Sequence, residues 1–162
     1  NHRDLPRLLE VSKALGVGHQ VTLLSREGLG RAEGGKSLPP IGTGARLLEL
    51  KARHPHFISF SHYLEGIDPF LRGETPRRCW AGERFFNIDH LGDVSPCIEK
   101  LHLRSGNLVR EPWSLVEARL RSHELSHCGD CLTSCRGFVD AMTGFPPRPR
   151  SFAELTRDFA KA

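Results

Sequence analysis

The sequence predicts an α/β protein in two parts, residues 1–71 and a small cysteine-rich α+β domain over 72–145, followed by a linker and helix over 146–162. Near the N-terminus a helical pattern, a glycine turn and an apolar strand follow one another. This order is the second half of a βαβ unit and indicates a parallel sheet. All five cysteines lie beyond residue 78, and the polar run over residues 72–78 is typical of a domain boundary.

Composition and charge exclude several classes of protein. Of the 162 residues, 38% are hydrophobic and 26% charged, which excludes a collagen-like or fully disordered chain. Every apolar run is far shorter than the roughly 20 residues that span a bilayer, and the first residues lack the apolar core of a secretory signal. The net charge of +4 is spread along the chain, without the blocks of like charge that nucleic-acid-binding arms carry. We therefore expect neither a membrane nor a nucleic acid as a partner.

The first predicted helix spans residues 4–15. Asp4 is a suitable N-cap, Pro6 fits a first turn, and Gly16 ends the pattern. Apolar residues recur at helical spacing and predict one buried face: Leu5, Leu8, Leu9, Val11 and Leu15. The apolar run over residues 21–24 predicts a buried strand after this helix.

A glycine-rich loop over residues 26–44 follows the strand. Ligand sites of α/β folds lie at the carboxyl ends of strands, but this loop has the spacing of neither a dinucleotide fingerprint nor a phosphate loop. We interpret it as a connector. Residues 44–53 then predict a helix that ends at His54, and residues 57–60 predict a further short strand.

The second part contains a predicted hairpin and a helix. Residues 85–89 and 93–96 predict two strands joined by a tight turn, and residues 106–109 predict an extended segment. Residues 113–122 predict a helix with an inward face made of Trp113, Leu115, Val116 and Leu120. Two shorter helices are predicted further along, over residues 136–143 and 151–160.

The five cysteines carry the functional information: Cys79, Cys97, Cys128, Cys131 and Cys135. Their number is odd and the last three are tightly spaced, which suits a disulfide framework poorly and a thiolate-rich metal or cluster site well. Such a site implies a reducing compartment, and we expect a cytoplasmic protein.

The cysteine spacing predicts how the sulfurs converge. Cys79 and Cys97 flank the predicted hairpin, and antiparallel pairing brings its two ends together. Cys128 and Cys131 form a Cys-x2-Cys turn, and Cys135 follows one helical turn later. Four thiolates from two segments indicate either a structural zinc site or an iron–sulfur cluster.

Several of these elements occur in a specific order. Cys79-x12-Gly92-x4-Cys97 is followed by Gly106-Asn107 before the Trp113 helix, and then by Cys128-x2-Cys131-x3-Cys135-Arg136-Gly137. This order resembles the auxiliary-cluster domain of radical S-adenosylmethionine enzymes, called SPASM or, in its shortened form, Twitch. The resemblance covers about 79–140. Residues 1–70 more weakly resemble the last helix–strand units of that family's partial (β/α) barrel.

The resemblance implies the C-terminal part of a partial (β/α) barrel followed by an auxiliary-cluster domain. It implies one auxiliary [4Fe–4S] cluster, because five cysteines are too few for the two clusters of the full SPASM pattern. In the full-length parent it implies S-adenosylmethionine and a second [4Fe–4S] cluster, held by a Cys-x3-Cys-x2-Cys loop that this sequence lacks. We therefore expect a fragment of an enzyme, cut off before Asn1 and not catalytic alone.

The resemblance also implies partners and site residues. The expected partners are a peptide or small-molecule substrate and a reduced flavodoxin- or ferredoxin-type electron donor. Gly28, Gly30 and Arg31, at the end of the last barrel strand, are the expected cofactor-binding residues. No catalytic residue can be named from the sequence.

All five cysteines are candidate ligands, and the choice of four stays open. The resemblance assigns Cys79 and Cys97 to the auxiliary cluster. Cys128 and Cys131 are favoured for the remaining places because Cys-x2-Cys is a common chelating spacing, and Cys135 is the alternative to either. The competing hypothesis is a non-catalytic module that holds structural zinc with four cysteines.

Overall fold

The computed structural model describes residues 3–23, 25, 38–74, 78–143, 153–154 and 156–157. The described residues fall into two compact units. The first unit comprises residues 3–23, 38–74 and those from Leu132 onward; the second comprises Ser25 and residues 78–131. The described residues from Leu132 onward thus lie with the first unit, although the sequence-based division groups 132–145 with the cysteine-rich domain. That division stays a prediction.

The first unit is helical. Its helices are α1 (Leu5–Ala14), α2 (Thr43–Arg53), α3 (Ser61–Glu65), α4 (Ile67–Leu71) and α6 (Ser134–Thr143). Helix α1 confirms the predicted first helix, but its buried face is narrower than predicted. Leu5 and Leu9 are buried, whereas Leu8, Val11 and Leu15 are exposed.

The predicted strands over residues 21–24 and 57–60 form no strand among their described residues; Leu24 lies outside them. One parallel bridge joins His19 and Phe57 instead. Beyond that bridge, side chains rather than a backbone ladder take up the amides. The amide of Val21 donates to Ser59 Oγ (3.0 Å), and that of Leu23 donates to the hydroxyl of Tyr63 (2.8 Å). These amides are therefore satisfied without a backbone partner, and in the part that the structure describes the parallel pairing does not continue beyond the His19–Phe57 bridge.

Helices α3 and α4 were not predicted from the sequence. They surround Gly66 and supply much of the first core through Tyr63, Leu64, Ile67 and Phe70. These four positions recur at spacings of one, three and three residues, so a helical signal was present in the pattern. In α6, Gly137 lies against Tyr63, and a Cβ there would come within 2.9 Å of the Tyr63 side chain.

The second unit is built on a three-stranded antiparallel sheet. The strands β1 (Asn87–Ile88), β2 (Asp93–Ser95) and β3 (Gly106–Asn107) are arranged in the order β1-β2-β3. The predicted hairpin is confirmed as β1 and β2. Its turn contains Gly92 at φ 81°, where a side chain would be strained. No barrel and no parallel sheet of several strands occurs in the described part of the chain, so the partial barrel stays a prediction.

Helix α5 (Trp113–Ser122) covers the sheet and has the predicted bounds. Val116 and Leu120 are buried with Val94 of β2. The predicted inward face was wrong for Trp113 and Leu115, which are 43% and 50% exposed. Strands of two and three residues give a narrow sheet, so only one strip of the helix is covered. Trp113 stacks on Phe86 instead, with ring centroids 5.2 Å apart.

Candidate metal centre

Four of the predicted ligands lie in the second unit. Cys79 is buried, and Cys97, Cys128 and Cys131 are half-buried; all four are free of disulfides. Cys135 is the second residue of α6, in the first unit, and its side chain is outside what the structure describes. The predicted cofactor-binding residues also lie outside the described residues: Gly28, Gly30 and Arg31.

Backbone hydrogen bonds fix the positions of Cys79 and Cys97. The amide of Cys79 donates to the carbonyl of Ser126 (3.0 Å). This bond holds the residues that lead into the hairpin against the segment just before Cys128. Cys97 follows β2 and is the N-cap of a single 3₁₀ turn, Ile98–Lys100. The amide of Lys100 donates to the Cys97 carbonyl (3.1 Å) and closes that turn.

The Cys128 thiol is brought against the Cys79 thiol. A hydrogen bond joins these two sulfurs, and the Cys128 thiol donates its proton to Asp130 Oδ2, with the sulfur and oxygen 3.6 Å apart. The amide of Cys128 donates to the Leu125 carbonyl (2.9 Å), so the chain turns immediately before the Cys-x2-Cys segment. Cys79 and Cys128, far apart in sequence, are therefore neighbours.

The thiol electrostatics show how closely these groups lie. The hydrogen bond with Cys79, followed by burial, raises the pKa of the Cys128 thiol far above its ordinary value. Burial raises the pKa of Cys97, and the nearby Cys128 adds to the increase. Both thiols are therefore protonated at neutral pH. A soft cation binding between them would supply the positive charge that their ionisation requires.

Backbone amides also point at two of the sulfurs. The amides of Glu99 and Lys100 donate to Cys97, and the amide of Asp130 donates to Cys128. Both arrangements lower the thiol pKa and partly oppose burial. Amide hydrogen bonds to sulfur are one of the features that stabilise thiolate ligands and set the reduction potential of iron–sulfur clusters.

Charged side chains connect the two thiol-bearing segments. Lys100 forms an ion pair with Asp130, and the side chains are 16% and 31% exposed. Glu99 is buried and accepts a hydrogen bond from Ser25 Oγ at 3.0 Å. Lys100 and Glu99 were not predicted from the sequence. A signal for Glu99 was available, because Cys97-x-Glu99 and Cys128-x-Asp130 both place an acid two residues after a cysteine.

The donor set fits a thiolate-bound group in its chemistry. Cys79 and Cys128 are in contact, and Cys97 is close enough to Cys128 for that neighbour to raise its pKa. Sulfur donors select zinc or iron–sulfur clusters over hard cations. Within the ranges that the structure describes, no three His, Cys, Asp or Glu side chains are grouped as a metal site.

No family model, curated protein or solved structure matches this chain. Among the described residues, no helix has the length and apolar character that a membrane crossing requires.

Proposed function

We propose that this chain is the auxiliary [4Fe–4S] cluster-binding portion of a radical S-adenosylmethionine enzyme. In this role it supports substrate binding and electron transfer during the radical-based modification of a peptide or small molecule, and it is not catalytic alone. The observation that carries the proposal is the contact between the Cys79 and Cys128 thiols, with Cys97 beside them, in a unit built on the hairpin.

Cys79 and Cys97 would hold the cluster together with two of the three later cysteines, Cys128, Cys131 and Cys135. When bound, an iron–sulfur cluster supplies one-electron transfer at a potential set by its protein surroundings. The chain's own contribution is to hold the sulfurs at the end of the hairpin and to direct the amides of Glu99, Lys100 and Asp130 at them. These amides offset thiolate charge in a partly buried site.

The remaining parts of the proposal concern the parent protein. It would contain S-adenosylmethionine and a second [4Fe–4S] cluster, and would receive electrons from a reduced flavodoxin- or ferredoxin-type donor in the cytoplasm. Their support is the family resemblance, which the order of the cysteines, Gly92, Gly106-Asn107 and the Trp113 helix carries. The partial barrel over residues 1–71 belongs to the same proposal.

Anaerobic reconstitution tests the proposal against the zinc alternative. The expected result is broad visible absorption with about four iron and four sulfide per chain, as a [4Fe–4S] cluster requires. A colourless protein with one tightly bound zinc would overturn the proposal and leave a structural module with four cysteine ligands. The Cys79→Ala variant is the matched control and is expected to lose the cluster.

A further inference from the structure

Lys100 links the two segments that bear the thiols. It ends the 3₁₀ turn that Cys97 begins, and its own amide is bonded to the Cys97 carbonyl (3.1 Å). Its ammonium forms an ion pair with Asp130, which lies between Cys128 and Cys131 in the Cys-x2-Cys turn. The Lys100 side chain therefore spans from one ligand segment to the other.

One oxygen of Asp130 is shared by two partners. The Lys100 ammonium and the Cys128 Sγ both contact Oδ2, the sulfur at 3.6 Å. A thiolate that binds a cluster has no proton to give to this oxygen, so a carboxylate and a sulfur anion then face each other. The Lys100 ammonium contacts the same oxygen and offsets their repulsion, and because the Lys100 side chain is only 16% exposed, solvent screens its charge weakly.

We infer that Lys100 is a positioning residue of the thiol site: its ion pair with Asp130 holds the Cys128–Cys131 turn against the Cys97 segment and compensates the carboxylate beside Cys128. The inference rests on the proposed function, because it assumes that Cys128 faces a bound group. It assigns Lys100 and Asp130 opposite electrostatic effects on that group. A purely structural role would give both residues the same effect.

Reduction potential and cluster retention test the inference in the reconstituted full chain. Lys100→Gln removes a positive charge and is expected to make the potential more negative, whereas Asp130→Asn is expected to make it more positive. The double variant is expected to return to near the wild-type potential, because the two charges cancel. All three variants lose the tether, and iron release to a chelator is expected to be about 10-fold faster or more.

Two controls separate charge from fold. Lys100→Arg keeps the charge and the ion pair and is expected to restore both potential and retention. Arg121→Gln removes an exposed ion pair with Glu117 on α5 and is expected to change neither. If Lys100→Gln does not fold, Asp130→Asn tests the same pair from its other side. Shifts of the same sign in the two single variants, or wild-type potential and retention in both, would overturn the inference.

A Co²⁺ arm keeps failure of the inference distinct from failure of the proposed function. Co²⁺ bound by thiolates has charge-transfer absorption, which reports sulfur ligation without iron. Wild-type chain that binds neither a cluster nor Co²⁺ overturns both proposals. Wild-type chain that binds only Co²⁺, about 10-fold more weakly in Lys100→Gln, supports the role of Lys100 and overturns the cluster. Equal Co²⁺ affinity in the two proteins overturns the role of Lys100.

Discussion

Asp68, which is remote from helix α2 in sequence, caps the N-terminus of that helix, and its removal should destabilise the first unit. The N-cap residue of α2 is Gly42, which has no side chain to accept the first amides. Asp68 of α4 accepts them instead, from Gly42 (2.8 Å), Gly44 (3.0 Å) and Ala45 (3.0 Å). One carboxylate therefore satisfies three amides at the end of another helix.

The magnitude follows from the exposure of these bonds. A hydrogen bond to a charged group contributes about 1.5–3 kcal/mol, and loss of an ordinary cap costs about 0.5–2 kcal/mol. The bonds from Gly42 and Ala45 are exposed, so water replaces Asp68 there, and only the bond from Gly44 is partly buried. We expect Asp68→Ala to lower the free energy of unfolding by about 2 kcal/mol. Asp68→Asn keeps one acceptor oxygen and should lose about half as much.

The pH dependence gives a second signature. Burial raises the pKa of Asp68, but the amides of Gly44, Ala45 and Gly42 and the charge of Arg72 lower it, so the pKa lies below the ordinary 3.8. The unfolded chain therefore binds the proton more readily. The contribution of Asp68 is present above about pH 3.8 and is lost as the pH falls through the lower, folded pKa.

Urea unfolding at pH 7 and in acid measures both effects. At pH 7 the midpoint for Asp68→Ala should fall below that of the wild type, and the gap should narrow in acid. Glu49→Ala, on the exposed face of α2, is the control and should change stability by less than about 0.5 kcal/mol. Equal midpoints for Asp68→Ala and wild type at pH 7 would refute the capping argument.

Four further predictions concern the site, the chemistry and the fold. Cys79→Ala and Cys97→Ala should abolish cluster binding, and loss of iron in Cys135→Ala alone among the last three cysteines would show that the Cys128–Cys131 pair is the wrong choice. The chain should not cleave S-adenosylmethionine under dithionite, because it lacks the Cys-x3-Cys-x2-Cys loop; 5′-deoxyadenosine detected by anaerobic chromatography would contradict this. Burial, followed by the nearby His56, lowers the pKa of His19 from 6.5, so the free energy of unfolding should decrease as the pH falls below about 6.5. Urea titrations of His19→Gln should show a smaller decrease over the same pH range. Asn107→Ala removes bonds to Leu91 and Asp93 and should lower the urea midpoint by an amount equivalent to about 2 kcal/mol; an unchanged midpoint would show that the turn does not need them.

Local pattern was sufficient where neighbours in sequence decide the structure. The periodicity of residues 113–122 predicted α5, and two short strand-like runs joined by a tight glycine turn predicted the β1–β2 hairpin. It was insufficient for residues 21–23, where apolar character indicated a strand. There the hydroxyls of Ser59 and Tyr63 accept the amides that a neighbouring strand would otherwise take.

The chemistry that the second unit can offer follows from residue types and their spacing. The sequence places a thiol on each side of a hairpin and has none before residue 79. Thiolates are the donors that soft metal ions prefer. Residue type and spacing suffice for this statement because ligand preference is a property of the side chain. The exposed side of α5 shows the limit of the same reasoning, since Trp113 faces outward despite its apolar character.

The tertiary structure is needed to show which distant residues meet. It pairs Cys79 with Cys128, Lys100 with Asp130, and Asp68 with the start of α2. Each contact joins two segments whose own helix, strand or turn pattern can be recognised without knowledge of the partner. Many partners could satisfy the hydrogen-bonding and charge requirements of these groups, so the sequence leaves the partner open. Packing selects the partner, because it brings one group within reach and keeps water from competing.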